Sequence, residues 1–374
     1  MPQKAIYEAF SKKYGDRVDA ECARFFSDSG DRHLIRYEKM MSRQVRIYST
    51  VPAIGYLATL SCEFFGSVLS SFGSVRLSAP IAFRRGVKRM TAIAPDVVFS
   101  THWATNYYVR HMNNPPLSVM YCPDGVCNKL FAYPSDLLLI STPVGYQKAL
   151  KMKKFNASNL KMVPFLIRNE AFSVTYDKKA ARRELGLPED RFTVLFAEGG
   201  YGIGKTKAIC KRLFKEHIPL TVIAVCGKNK KLYKYLSSLE TPEEIVFMPC
   251  GFTEDILKFE AAADLFCGKS GNILAEATFF GDPTVVTKHA TLIEEKIADH
   301  YVDTVGCAMR EFSPKKTAEL IKKFSADPAL LEPYRRAALA WHENFGAEQA
   351  ADELWKTIVR RFPELITNDR KQES

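Results

Sequence analysis

The chain has 374 residues, 47% hydrophobic and 25% charged, a globular balance with enough apolar side chains to bury two α/β cores of ordinary size. Its net charge of +11 points to polyanionic partners, whether nucleic acid, anionic lipid headgroups or phosphorylated substrates, and says nothing about fold. The nine cysteines form no C-x-x-C pair or Cys/His cluster, which excludes a zinc module and a disulfide scaffold and reads as buried reduced thiols of an intracellular protein, and no apolar run reaches the roughly 20 residues of a membrane-spanning helix.

Residues 2–14 pattern as an amphipathic helix with Ile6 and Phe10 on one face, and Val18, Ala20 and Cys22 then alternate as a strand would. An α/β unit normally opens on a strand, so a first strand and its phosphate-type loop are expected to be absent ahead of this helix or encoded upstream. Residues 47–83 are apolar and aromatic with only Glu63 and Arg76 charged, and are bracketed by Arg43, Arg46, Arg84, Arg85, Lys88 and Arg89. Phe64 and Phe65 between such cations suit a membrane surface, rings entering the headgroup boundary while Arg84 and Arg85 meet anionic lipid. A buried helix pair with exposed basic ends is the alternative.

Strands are expected at 96–100, 117–122, 137–140 and 161–163, alternating with helices as in a parallel sheet. The periodicity lapses near 166–178, which gives an N-terminal domain over 1–168, a linker over 169–185, a second domain over 186–345, and a C-terminal helix and tail over 346–374. The second domain repeats the alternation, with strands at 193–197, 220–225, 245–248, 265–267 and 284–286, and the chain is helical after Phe312.

Gly199-Gly200-Tyr201-Gly202-Ile203-Gly204-Lys205-Thr206 fits G-x-x-x-x-G-K-T between a strand and a helix, the setting of a P-loop. A P-loop NTPase also needs a carboxylate after a neighbouring strand to hold Mg²⁺, yet the next strand ends in Cys226-Gly227-Lys228-Asn229, and Asp264 precedes its strand. The glycines are therefore read as a close-approach loop for some other phosphate-bearing ligand. Further on, Lys269, Ser270, Gly271 and Asn272 lead into a helical run from Ile273, so unpaired N–H groups and the positive helix end would face a phosphate. Glu276, on the first turn, can accept hydrogen bonds from a ribose diol.

The segments FAEGGYGIGKTKAI, VIAVCGKNKKLYKYL, VFMPCGFTEDILKFEAAADLFCGKSGNILAEA and LIEEKIADHYVD, in this order, resemble the monogalactosyldiacylglycerol synthases and processive diacylglycerol β-glucosyltransferases. APDVVFSTHW and YCPDGVCNKLFAYPSDLLLIST resemble that family's acceptor-side segments, so the likeness covers nearly the full length. The resemblance implies an α/β GT-B fold, two doubly wound Rossmann-like domains facing a cleft. It also implies inverting transfer of a hexose from UDP-glucose or UDP-galactose to diacylglycerol or a glycolipid, without a cofactor or a metal in the site. The enzyme would work on an anionic membrane surface, peripheral to the inner face of the cell membrane.

Carried over by position, Gly199, Gly200, Gly202 and Gly204 would line the cleft beside the diphosphate, and Cys226, Gly227, Asn229, Gly251 and Phe252 would border the uracil. Ser270, Gly271, Asn272 and Ile273 would hold the phosphates, Glu276 the ribose, and Glu294 with Glu295 the sugar. The family more often reads Gln-Glu at this last pair, and the change removes two N–H donors and adds charge.

A family Gly-Gly-Gly-His loop corresponds to sequence ahead of Met1, and a second family His and a Trp correspond to Asn128 and Phe131. His102 and Asp124, each at the C-terminal end of an expected strand, are the remaining candidates for the general base. A donor-binding homologue impaired in transfer is the second expectation. No RNA-binding or helix-turn-helix pattern supports a nucleic-acid partner.

Overall fold

The structure is a computed structural model that describes residues 2–71, 76, 79–175 and 177–367. Met1, residues 72–75, 77 and 78 of the apolar segment, residue 176, and the charged tail from 368 lie outside them. The first part of the chain runs α1 (Pro2–Tyr14), α2 (Arg32–Thr50), α3 (Pro52–Ser71), α4 (Pro80–Ile93), β1 (Val97–Ser100), α5 (Trp103–Arg110), β2 (Leu117–Tyr121), β3 (Leu137–Ile140), α6 (Pro143–Lys151) and β4 (Leu160–Met162). The second runs α7 (Lys178–Glu184), β5 (Thr193–Ala197), α8 (Thr206–Leu213), β6 (Leu220–Val225), α9 (Lys230–Ser237), β7 (Ile245–Cys250), α10 (Ile256–Ala262), β8 (Leu265–Lys269), α11 (Asn272–Phe279), β9 (Thr284–Lys288), α12 (Leu292–Asp299) and β10 (Ala308–Arg310). Helices α13 (Pro314–Ala326), α14 (Glu332–Ala340), α15 (Glu348–Arg361) and α16 (Glu364–Thr367) close the chain.

Residues group into two units, one of Met1–Val45, Leu57–Asn169 and Asn344–Ser374, the other of Arg46–Tyr56 and Glu170–Glu343. In the first, four parallel strands lie in chain order, β1-β2-β3-β4. Strands β2 and β3 are buried along their whole length, which is why they read as apolar runs without alternation. Helix α1 buries Ala5, Ile6 and Phe10, and the last long helix joins the same core with Leu354 and Ile358. Tyr14 stacks on Trp355 at 4.6 Å and donates a hydrogen bond to Asp352 at 2.7 Å. The alternation at Val18, Ala20 and Cys22 does not make a strand. Residues 19–24 are irregular and pair with no sheet, Val18 half-burying against the core while Cys22 is exposed.

In the second unit six parallel strands lie in the order β10-β9-β8-β5-β6-β7. The first strand of this unit, β5, pairs with β6 on one side and β8 on the other. The chain thus winds outward from β5 in one direction, returns, and winds outward in the other. The direction reverses between β5 and β8, and sheets of this order take their ligands at such a reversal, in the crevice expected beyond the carboxyl ends of the two strands. Strand β10, which the sequence pattern did not reveal, is three residues long and closes one edge beside β9.

Candidate functional site

Two loops follow the strands at the reversal, β5 and β8, and they are built in opposite ways. After β5 comes Glu198, fully buried, whose Oε1 accepts the backbone N–H groups of Lys205 and, at 3.2 Å, Thr206. These are the first donors of α8, so the positive end of that helix already holds an anion, the protein's own carboxylate. A Cβ at Gly204 would lie 1.9 Å from Glu198 Oε1 and would displace that carboxylate, and Gly202 is required by a Cβ-to-Cys226 carbonyl distance of 2.0 Å. Burial raises the pKa of Glu198, an effect the loop N–H groups oppose. Lys205 donates to the Phe312 carbonyl and lies over the Phe312 ring at 5.2 Å. The P-loop spacing is therefore an internally closed turn. Gly199 and Gly200, by contrast, have no atom within 4 Å of an added Cβ.

After β8 the geometry is the reverse. Gly271 is the N-cap of α11 and no side chain caps this helix. Ser270 is wholly buried with no hydrogen-bond partner for its Oγ, an arrangement that costs about 1–3 kcal/mol unless a ligand or water fills it. Its N–H goes to the Lys288 carbonyl at 3.3 Å. The first donors of the helix, at Asn272 and Ile273, follow directly, and an added Cβ at Gly271 would meet nothing within 4 Å. Because the helix begins at Asn272, one residue earlier than read from the sequence, Glu276 falls at the start of the second turn of α11, and it is buried.

The cations and carboxylates around this helix end are fixed by one another. Lys269 Nζ lies 2.5 Å from Glu294 Oε1, and Glu294 Oε2 accepts the Ala290 N–H at 2.7 Å. Lys288 donates to the Ser49 carbonyl at 2.7 Å, and burial, with Lys269 nearby, lowers its pKa. Glu295 accepts a hydrogen bond from the Tyr56 hydroxyl at 2.8 Å. Both glutamates lie in the first turn of α12, whose N-cap Thr291 accepts the Glu294 N–H at 3.1 Å. They are part of a packed polar network, not a solvated helix start.

The loops after β6 and β7 carry the remaining expected donor residues. Cys226 is buried and donates its N–H to the Cys250 carbonyl at 2.7 Å, and Gly227 packs against the Gly200 carbonyl. Asn229 caps α9 through its oxygen and donates to the Gly202 carbonyl at 2.9 Å, so both ends of its amide are engaged by the fold. Beyond Gly251, Phe252 is 64% exposed with Lys228 over its ring at 5.5 Å, an aromatic face open to a planar base.

The first unit brings His102 and Asp124 to the C-terminal ends of β1 and β2. His102 is the N-cap of α5, and its Nδ1 accepts the Ala104 N–H at 3.2 Å. That bond leaves Nε2 as the protonated nitrogen, able to donate to a hydroxyl oxygen but not to take its proton. Burial pushes the pKa of the ring down to about 4, so it is neutral near pH 7. Asp124 is half-buried in the turn before Gly125, whose φ of +64° suits glycine. Asn128 accepts the Leu130 N–H at 2.9 Å as a cap, and Phe131 is buried.

Helix α3 exposes Leu57, Leu60, Phe64 and Phe65, the two phenylalanines at 68% and 61%. Arg84 and Arg85 are exposed on α4, and α2 carries Arg32, Arg36, Lys39, Arg43 and Arg46 in exposed positions three and four apart. No helix among the described residues is long and apolar enough to cross a membrane.

Glu198, Lys288, Ser49 and Tyr56 were not among the residues read from the sequence. A carboxylate directly after a buried strand and before the glycines was the one available signal, for Glu198.

No family model matches the chain. It is 29% identical over 188 residues to a probable chloroplastic monogalactosyldiacylglycerol synthase of Glycine max, covering 48% of this chain and 34% of that one. It is 25% identical over 259 residues to a processive diacylglycerol beta-glucosyltransferase of Bacillus pumilus, covering 68% of this chain and 65% of that one. The chain thus spans about a third of the plant relative and slightly under two thirds of the bacterial one. A UDP co-structure of MnaA from S. aureus is similar with a TM-score of 0.57 at 15% identity, over 76% of this chain and 80% of that one, a likeness of fold.

Proposed function

We propose that the chain, which is similar to monogalactosyldiacylglycerol synthases and processive diacylglycerol β-glucosyltransferases and has the GT-B fold, is an inverting hexosyltransferase. It takes UDP-glucose or UDP-galactose as donor and a lipid, diacylglycerol or a glycolipid, as acceptor. The observation that carries this reading is the contrast between the two loops of the crevice: one helix end is closed by Glu198, the other is uncapped beside the unpartnered buried hydroxyl of Ser270. A diphosphate at Ser270, Gly271, Asn272 and Ile273 satisfies that hydroxyl and those N–H groups together. Glu276 then takes the ribose, Phe252 stacks the uracil, and Glu295 meets the hexose.

Asp124 is the base of this reading, because the Nδ1 lone pair of His102 is engaged as a helix cap. In the inverting step the Asp124 carboxylate takes the proton of the lipid hydroxyl as its oxygen attacks the anomeric carbon, and the bond to the UDP oxygen breaks. Phe64, Phe65 and the exposed arginines of α2 and α4 bring the chain to a lipid surface. An NTPase reading is disfavoured because Glu198 occupies the nest that would hold the phosphates.

The test is calorimetric titration of UDP into the protein, followed by transfer of labelled hexose from each UDP-sugar to diacylglycerol in anionic vesicles. UDP binding with label in the lipid fraction is the expected result. Absence of UDP binding in folded protein would overturn the donor site. UDP binding without transfer to any diacylglycerol or glycolipid acceptor would overturn the acceptor assignment.

A further inference from the structure

The elbow between α2 and α3 does more than turn the chain. Pro52 opens α3, and because its ring blocks continuation of a helix and disfavours helical geometry at Val51, α2 must end at Thr50. The residues of this elbow, Arg46–Tyr56, group with the second unit although the helices they terminate continue in the first. Its contacts there fall on the residues around the uncapped end of α11. Ser49 is 5% exposed; its carbonyl accepts from Lys288 at 2.7 Å, and its Oγ lies 3.4 Å from Lys269 Nζ. Gly55 allows the first turn of α3 to lie directly on the loop before α12, since a Cβ there would come within 2.2 Å of the Ala290 carbonyl oxygen. One residue on, Tyr56 places its ring 5.8 Å from that of His289 and donates its hydroxyl hydrogen to Glu295 Oε2 at 2.8 Å.

We propose that Tyr56 is a positioning residue for the donor hexose, holding the Glu295 carboxylate in the one orientation that meets the sugar hydroxyls. The inference rests on the donor-site reading above. A carboxylate has about four lone-pair positions, so Glu295 can accept from Tyr56 and still accept from a sugar. Left unrestrained on the first turn of a helix, its side chain samples several rotamers and meets equatorial and axial hydroxyls alike. A hydrogen bond from a fixed ring selects one rotamer, and the hexoses of UDP-glucose and UDP-galactose differ only in the direction of one hydroxyl. Burial and the neighbouring Glu295 raise the phenol pKa, so the hydroxyl keeps its proton near pH 7. Tyr56 does not touch the nucleotide in this arrangement. Its removal should therefore separate sugar recognition from nucleotide recognition.

The experiment compares Tyr56→Phe, Glu295→Ala and the double variant with the parent chain, measuring affinity for UDP, UDP-glucose and UDP-galactose by calorimetry. Tyr56→Phe should leave UDP affinity unchanged and weaken the preferred UDP-hexose about tenfold, since it removes a hydrogen bond to a charged group, and it should narrow the preference between the two hexoses. In the Glu295→Ala background the same change should have no further effect, because Tyr56 acts through that carboxylate. Equal loss of UDP and UDP-hexose affinity, additive losses in the double variant, or an unchanged UDP-hexose to UDP ratio in Tyr56→Phe would each overturn the proposal. A parent chain that binds none of the three would overturn the donor site itself.

Discussion

The two sheets are both parallel and both buried, yet only one has a strand order that makes a site by itself. In the second unit the order reverses beside β5, and the loops after β5 and β8 must part there. In the first unit the strands β1 to β4 follow one another without reversal among the described residues, so no crevice is dictated by their order. The difference teaches where function is read from topology and where it is read from single side chains. The proposed donor residues, Phe252, Ser270 to Ile273, Glu276 and Glu295, follow three strands of this one sheet, β7, β8 and β9. The proposed acceptor side rests on His102 and Asp124, two residues whose local chemistry must decide.

The comparison breaks most sharply at Asp124. Replacing it with Asn removes the carboxylate while keeping shape, and transfer should fall by at least about 100-fold, the usual worth of a positioned base, with UDP affinity unchanged. His102 should contribute no ionisation to the transfer rate between about pH 5 and pH 8, because burial holds its pKa at about 4. A pH–rate limb in that interval that His102→Gln removes would exchange the roles of the two residues.

The opposite lesion is Glu276→Ala. If the second unit alone recognises the nucleotide, UDP affinity should drop by about 1–3 kcal/mol through the lost charged acceptor, and the thermal midpoint should be checked to show that the variant is folded. Unchanged affinity in a folded variant would remove Glu276 from the site.

These expectations were unequally legible in the sequence. Strands such as Leu137–Ile140 and Thr193–Ala197 are short apolar runs between turns, and a buried parallel sheet needs just that pattern. The uncapped start of α11 was visible because its signal is local: Lys269, Ser270, Gly271 and Asn272 adjoin one another. What escaped is contact across long separations. The packing of Trp355 on Tyr14, the entry of Ser49 and Tyr56 into the second unit, and the bond from Lys288 to Ser49 all join residues more than 200 positions apart or elements from opposite ends of the chain. Periodicity carries no information on such pairings. The alternation at Val18, Ala20 and Cys22 failed for the related reason that a strand needs a neighbour as well as a pattern.

A smaller and purely interfacial effect belongs to the first unit. Phe64 and Phe65 are exposed, so changing both to Ser should leave folding intact and weaken binding to anionic vesicles, by at most about 1.5–3 kcal/mol per ring that enters the headgroup boundary. UDP affinity measured without lipid should not change. Vesicle co-sedimentation of the double variant at parent levels would show that these rings do not face lipid, and the assignment of α3 to the membrane would fall.

The least expected effect is at Lys205, and it tests the second unit hardest because the local motif argues for a large one. In a P-loop this lysine reaches the phosphates and its loss abolishes nucleotide binding. Here its ammonium group is held against the carbonyl and ring of Phe312, while Glu198 takes the N–H groups that would cradle an anion. Lys205→Ala should therefore change UDP affinity by no more than a few fold, the loss of one partly screened cation near the crevice. Mg²⁺-dependent ATP turnover in the parent chain, abolished by this substitution, would mean that the Glu198 carboxylate yields its place to a triphosphate. The crevice would then be used through the loop after β5 instead of the loop after β8, and the contrast between the two helix ends would point the other way.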